Sequence, residues 1–249
     1  MSALEALAIV GAGLVAGTVN TIVGSGSLIT FPTLLAFGFR PVVANVSNTV
    51  GLVPGSLSGV IAYRAELDGQ RGRLLALGGA SMAGGVTGAV LLLALPGSVF
   101  RHVVPVLILV ACVLVALQPR LSALLADRKE RHVHGGPALF VTVFATGVYG
   151  GYFGAAQGVI LVSLLGIFVA DDLQRLNATK NVLALVVNGV AAVVFIAASH
   201  VSWEVAGLIA LGSVIGGQVG GVLGRRIPAP LLRVVIVVVG VTAAIALLV

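Results

Sequence analysis

Shifted by 132 residues, this sequence lies on itself: Asn45-Val46-Ser47-Asn48-Thr49 falls on Asn177-Ala178-Thr179-Lys180-Asn181. The same shift sets Ser81-Met82-Ala83-Gly84-Gly85 on Ser213-Val214-Ile215-Gly216-Gly217, Pro96 on Pro228 and Arg101 on Arg233. Further upstream it falls to 130, pairing Gly24-Ser25-Gly26-Ser27 with Gly154-Ala155-Ala156-Gln157. An ungapped shift that aligns polar, Pro and Gly positions together marks a duplicated unit. Whatever this chain folds into, it builds twice.

Between these landmarks the sequence is apolar, in runs of about 20 residues, each long enough to cross a bilayer as a helix. Hydrophobic residues make up 59% of the 249 and charged ones 9%, too little charge to cover a soluble domain. The short alternating strands of a membrane β-barrel do not occur. The fold class is therefore an all-α polytopic membrane protein. Leu4 to Val23 follows no basic leader and ends in no small-residue cleavage site, so it reads as a first span rather than a signal peptide.

The spans predicted in the first half are 4–23, a short 27–38, 42–62, 74–95 and 103–118. Those in the second are 137–153, a short 158–169, 176–198, 204–224 and 231–249. This gives a first membrane repeat over 1–118, a cytoplasmic linker over 119–136 and a second membrane repeat over 137–249. Five segments per half is an odd number, so the second repeat enters the membrane upside down. Whether the two short, Gly-broken segments cross or re-enter does not alter that parity.

Charge gives an independent reading of orientation. One set of alternate gaps holds Arg64, Arg71, Arg73, Arg120, Arg128, Lys129, Arg131, Arg175, Arg225, Arg226 and Arg233, and the other only Arg40 and Arg101. The positive-inside rule places the first set in the cytoplasm and both termini outside, in a multi-pass membrane protein. Because the basic residues sit in these gaps, the net charge of +6 is a topology signal and not a nucleic-acid stripe. Gly51, Gly55 and Gly59, and Gly212, Gly216, Gly220 and Gly224, recur at helical spacing and are expected to be seams where backbones approach closely.

Polar groups inside hydrocarbon are costly and mark candidate sites. The first place is Ser25, Gly26 and Ser27, after Asn20 and before Pro32. Two glycines there let the backbone leave the helix, and the helix that restarts offers an N-terminus attractive to anions. A plain tight turn is the alternative. Gln157 holds the matching place in the second half. The next clusters are Asn45, Asn48 and Thr49, and Thr179, Lys180 and Asn181, with Asn177 beside them. These open the third span of each half, either as helix caps and interhelical bonds or as substrate donors. Ser56 and Asn188 extend the same face two turns further in. Lys180 breaks the symmetry, as a basic residue inside a predicted span where the first half has Asn48: it binds an anion or snorkels to the headgroups. A helix starting near 177 would leave it close to the inner surface.

All eight acidic residues fall near span ends or in loops, which leaves no carboxylate for a proton or Na⁺ relay. There is no Walker A sequence, no HExxH and no nucleophile elbow, so neither catalytic residues, metal nor cofactor is expected. Cys112 is alone, which excludes a disulfide framework. His132 and His134 lie in the charged linker. The expected partners are the lipid bilayer and a small anionic substrate, not nucleic acid, with homo-oligomerisation left open.

Gly17 to Pro32, a Gly/Ser-rich break leading into an apolar segment, and Ala44 to Gly59, with Asn48-Thr49 and the glycine ladder, resemble the TauE/SafE family of bacterial sulfite and organosulfonate exporters. Gly147 to Gly166 and Leu176 to Asn188 repeat the order more loosely, with Ala155-Ala156-Gln157 in place of a glycine-rich break. The resemblance covers nearly the whole chain outside the linker. It implies export of small sulfur-containing anions. Import, carriage of another small solute, or a non-transporting membrane scaffold or sensor are the alternatives.

Overall fold

The computed structural model describes residues 1–126, 136–223 and 229–248. Gly224, Arg128, Lys129, Arg131, Arg225, Arg226, Pro228, His132 and His134 lie outside the described residues, and of Arg233 only the backbone is described. Among the described residues the chain is helical: α1 (Ala3–Ile22), α2 (Ser27–Ala36), α3 (Pro41–Ala62), α4 (Arg71–Ala94), α5 (Gly97–Ala126), α6 (Gly136–Tyr152), α7 (Gln157–Phe168), α8 (Leu173–Ala198), α9 (Trp203–Leu223) and α10 (Ala229–Leu248). Among the described residues five stretches are long and apolar enough to cross a membrane: α1, α4, Gly97–Leu117 of α5, α8 and Trp203–Val222 of α9. These match the expected spans, with one correction. α5 continues to Ala126, so the expected linker over 119–136 begins inside a helix. The Leu- and Ala-rich run after Arg120 favours helix strongly enough to carry it past Pro119.

Local chemistry sets the helix starts. Ser2 and Glu5 form a reciprocal capping box on α1, the Glu5 N–H donating to Ser2 Oγ at 3.2 Å and the Ser2 N–H to Glu5 Oε2 at 2.9 Å. Pro41 occupies the first turn of α3, where its missing N–H costs nothing. Asp172 caps α8, accepting from the Gln174 N–H at 2.9 Å.

The glycine seams give the helix directions. Gly13 and Gly51 both press on Ile209, and Gly17 and Gly55 both press on Ser213. α1, α3 and α9 therefore run side by side in one direction. Gly212, Gly216 and Gly220 of α9 meet the backbone carbonyls of Val10, Leu14 and Thr18 on α1, and Thr18 Oγ1 donates across that seam to the Gly216 carbonyl at 3.1 Å. On the other side of the molecule Gly84 packs on Phe144 and Gly147, and Gly88 on Val148 and Tyr152, so α4 and α6 share a direction. A short turn, Arg64–Leu67, joins α3 to α4 and reverses the chain, and α4 packs on α6 and α8. Arg73 near the start of α4 pairs with Asp171, just before α8, at 2.8 Å, so α8 starts at the same end as α4.

These directions require two reversals. α1 and α3 are parallel, so α2 must return the chain to the end where α1 began. By the same argument α7 returns it after α6. α2 has 10 residues and α7 has 12, about 15 and 18 Å at 1.5 Å per residue. α1–α2 and α6–α7 are thus helical hairpins whose tips are the two Gly-containing breaks.

Candidate functional site

The two hairpin tips meet. The Gly158 N–H donates to the Gly24 carbonyl at 3.0 Å, and a Cβ on either glycine would overlap the other's Cα. Gly24 also has φ +86°, a conformation that L side chains adopt at a cost. Inside the first tip the Gly26 N–H donates to Asn20 Oδ1 at 2.7 Å. Inside the second, the Tyr149 hydroxyl donates to the Ala155 carbonyl. Phe31 of α2 packs edge-on against Phe153 of the second break, ring centroids 5.3 Å apart, so the tips are joined by aromatic as well as backbone contact.

Beside this crossing lies a polar cavity lined by Asn20, Thr21, Gly24, Ser27, Ser56, Gly154, Gln157, Gly158, Asn181, Ala184 and Asn188. Both halves contribute. Its volume is about 20 Å³, space for about one water and too little for an oxyanion of four heavy atoms. The Gln157 amide nitrogen is buried there without a partner. Among the described residues no carboxylate or basic group lines it; the lining is amides, hydroxyls, Ala184 and close-packed glycine backbone.

Of the residues expected at a site, Ser27, Gln157 and Asn181 line this cavity. The others stand around it. Ser25 is buried in the first tip with its hydroxyl unpartnered. Asn48 donates to Ser27 Oγ at 3.3 Å and accepts from the Thr30 hydroxyl, fixing the start of α2. Thr49 turns back onto the Asn45 carbonyl at 2.9 Å. Thr179 points away, donating to Gln70 Oε1 at 2.7 Å in a network with Arg73, Asp171 and Arg175.

Lys180 is 1% exposed and lies about 11 Å along α8 from its start at Leu173. The snorkelling alternative therefore does not hold. Its Nζ donates to the carbonyls of Asn20 at 3.0 Å and Thr21 at 3.2 Å, the last turn of α1. Asn177 and Asn181 add donors to the same Thr21 carbonyl at 3.2 and 3.3 Å. A helix C-terminus carries partial negative charge and unpaired carbonyls, so this cluster satisfies the end of a helix broken inside the molecule. In the other half Asn45 Nδ2 donates to the Tyr152 carbonyl, the last of α6, at 3.1 Å. Each duplicated Asn therefore caps a helix, as one alternative held, but the C-terminus of the other half's broken helix and not the start of its own.

Free N–H groups were expected at the starts of α2 and α7. In this closed arrangement the N–H groups of Leu28 and Val159 bond within their own turns, and that of Gly158 is held by Gly24. Asn20, Ser56 and Asn188 were not among the expected site residues. The signal for Ser56 and Asn188 was their spacing of seven from Thr49 and Asn181, which puts them on the same helix face two turns further along.

Just before α8, Asp171 accepts from Arg73 at 2.8 Å and from Arg175 at 2.9 Å. Burial alone would raise its carboxyl, but the Arg73 hydrogen bond, the Asp172 N–H and the two guanidinium charges outweigh that and hold it below the usual carboxylate range.

Helical hairpins that meet at a polar, carboxylate-free cavity among membrane-length helices define a membrane transporter. Residues 9–247 match the sulfite exporter TauE/SafE family, and the chain belongs to that family. It is 27% identical over 234 residues to "Probable membrane transporter protein YfcA" of Escherichia coli (strain K12), covering 91% of this chain and 83% of that protein. It is 28% identical over 241 residues to "Probable membrane transporter protein ORF9" of Sinorhizobium sp, covering 95% and 90%. A "Probable membrane transporter protein" of Haemophilus influenzae is 27% identical over 212 residues, covering 84% and 80%. No solved structure matches.

Proposed function

We propose that this protein exports small sulfur-containing anions, such as sulfite or organosulfonates, by alternating access at the crossing of the two hairpins. The halves act as an inverted repeat: α1, α3 and α9 run one way, while their counterparts α6, α8 and α4 run the other. α1–α2 is a re-entrant hairpin from outside and α6–α7 one from the cytoplasm. The end that holds Arg64, Arg71, Arg73 and Arg175 faces the cytoplasm, and both termini lie outside.

The observation that carries this reading is the Gly24–Gly158 contact beside the unpartnered Gln157 amide. Parting the tips releases the Gly158 N–H, widens the cavity and gathers the Gln157, Asn181, Asn188 and Ser27 donors around one ligand. Lys180 lies behind this lining, its stem against Gly158, and supplies positive potential in a low-dielectric surrounding. The described acidic residues Glu5, Glu66, Asp68, Asp171, Asp172 and Glu204 sit in first turns or connections, so nothing in the lining repels an anion. Export of one negative charge down an inside-negative potential gains about 2.3 kcal/mol per 100 mV, which drives efflux without a built-in relay.

The test is uptake of radiolabelled sulfite into inside-out proteoliposomes, with a panel of unlabelled anions, neutral solutes and cations as competitors. Competition by sulfite and sulfonates alone is expected. Competition chiefly by neutral or cationic solutes would overturn the substrate class.

A further inference from the structure

Two clefts converge at the end of the molecule where α3 begins. One, of about 800 Å³, opens between the first turns of α3 and α5. The other, of about 670 Å³, opens between α2 and α10. Arg40, Pro41 and Arg101 line both. On one side of this ridge the walls include Val42, Val43 and Pro105, and on the other Leu35, Phe39 and Val239. No residue of the central cavity lines either cleft, so these are not its mouth.

The two guanidinium groups are exposed, and neither forms an ion pair or hydrogen bond among the described residues. Arg40 is the N-cap of α3 without any side-chain capping bond. Glu5 and Glu204 open helices at the same end, but neither lines a cleft. Two unneutralised cations flanked by two apolar troughs match one kind of molecule: a head with negative charge and two hydrocarbon tails. Guanidinium forks bind phosphate in two-point geometry, while the troughs take acyl chains already in the surrounding solvent.

We infer that the Arg40–Arg101 ridge seats a phospholipid with an anionic headgroup, its phosphate across the two arginines and one chain in each cleft. α2 forms a wall of the second cleft, so the bound lipid braces the first hairpin from outside. The site does not depend on which solute the protein carries.

Native mass spectrometry and thermal unfolding of the purified full chain, with phosphatidylglycerol, phosphatidylcholine or inorganic phosphate added, test this. Retention of phosphatidylglycerol at one per chain, at least tenfold above phosphatidylcholine, is expected, with a raised Tm and no displacement by inorganic phosphate. The double variant Arg40→Gln/Arg101→Gln loses that preference while keeping the lipid-free Tm. Val239→Trp, which fills one cleft and leaves both arginines, weakens phosphatidylglycerol retention several-fold. Equal retention of the two lipids, retention unchanged in the double variant, or displacement by inorganic phosphate would each overturn the site.

Discussion

The two hairpins come from one duplicated sequence but are held differently. The α6 end is met by a single amide, Asn45 Nδ2 on the Tyr152 carbonyl. The α1 end is met by Asn177, Asn181 and the Lys180 ammonium, on the carbonyls of Asn20 and Thr21. The outer faces differ likewise. Ser47 accepts from the Ser202 N–H at 2.9 Å, while the counterpart pair, Thr179 and Gln70, is joined to the ion pair of Arg73 and Asp171. Charge has been added on one side only, at Lys180 and at the Arg73–Asp171 pair. In the carrier proposed above, that difference would bias both the ligand's sign and which end stays shut.

The largest expected effect comes from separating what the comparison says must touch. Gly24→Leu puts a side chain into Gly158 at a positive φ and is expected to cost on the order of 4 kcal/mol or more, seen as loss of monodisperse protein. Gly207→Ala, with open space around its Cβ position, should gain up to about 1 kcal/mol. Lys180→Met comes next: lost bonds to two carbonyls and relief of a buried charge offset to within about 2 kcal/mol, so the protein folds, but sulfite affinity falls tenfold or more. Asn48→Leu, the symmetry mate, should leave affinity within about threefold. Unchanged affinity in Lys180→Met would erase the functional half of the comparison.

A smaller effect is expected at the charged end. Asp171 has a folded pKa below its ordinary 3.8, so its contribution is complete above that value and lost as pH falls through the lowered one. The Tm gap between wild type and Asp171→Asn should therefore be constant near neutrality and close only in that acid window. The smallest is Ser47→Ala, about 1 kcal/mol for one hydrogen bond, measured by thermal unfolding.

Most of the scaffold was legible in the sequence because lipid permits few solutions. Apolar runs gave the helices, and the glycine spacing gave seams that the structure fills with facing backbone, as at Gly212 and Gly216. The duplication paired Asn45 with Asn177 and Gly24 with Gly154; in the structure each Asn bonds a helix-end carbonyl and each Gly has a positive φ. What it could not give was the partner of each. Asn45 and Asn177 each bond to the other half of the chain, and no one-dimensional spacing encodes a contact over 107 or 156 residues. The depth of Lys180 stayed open in the sequence for a local reason: Asp172 starts α8 three residues before the expected 176, which sets Lys180 further along the helix. Leu121 to Ala126 misled in the opposite sense, as a helical run behind a polar Gln-Pro-Arg.

The most direct test of the account is sulfite counterflow in proteoliposomes by wild type and Gln157→Leu, the change that removes the buried, unpartnered amide nitrogen of the cavity and leaves the hairpin contact intact. The account predicts rapid exchange in the wild type and at least a tenfold loss in the variant, with its Tm kept. Equal counterflow in the two proteins would contradict it, because the anion would then pass without touching the place where the hairpins cross.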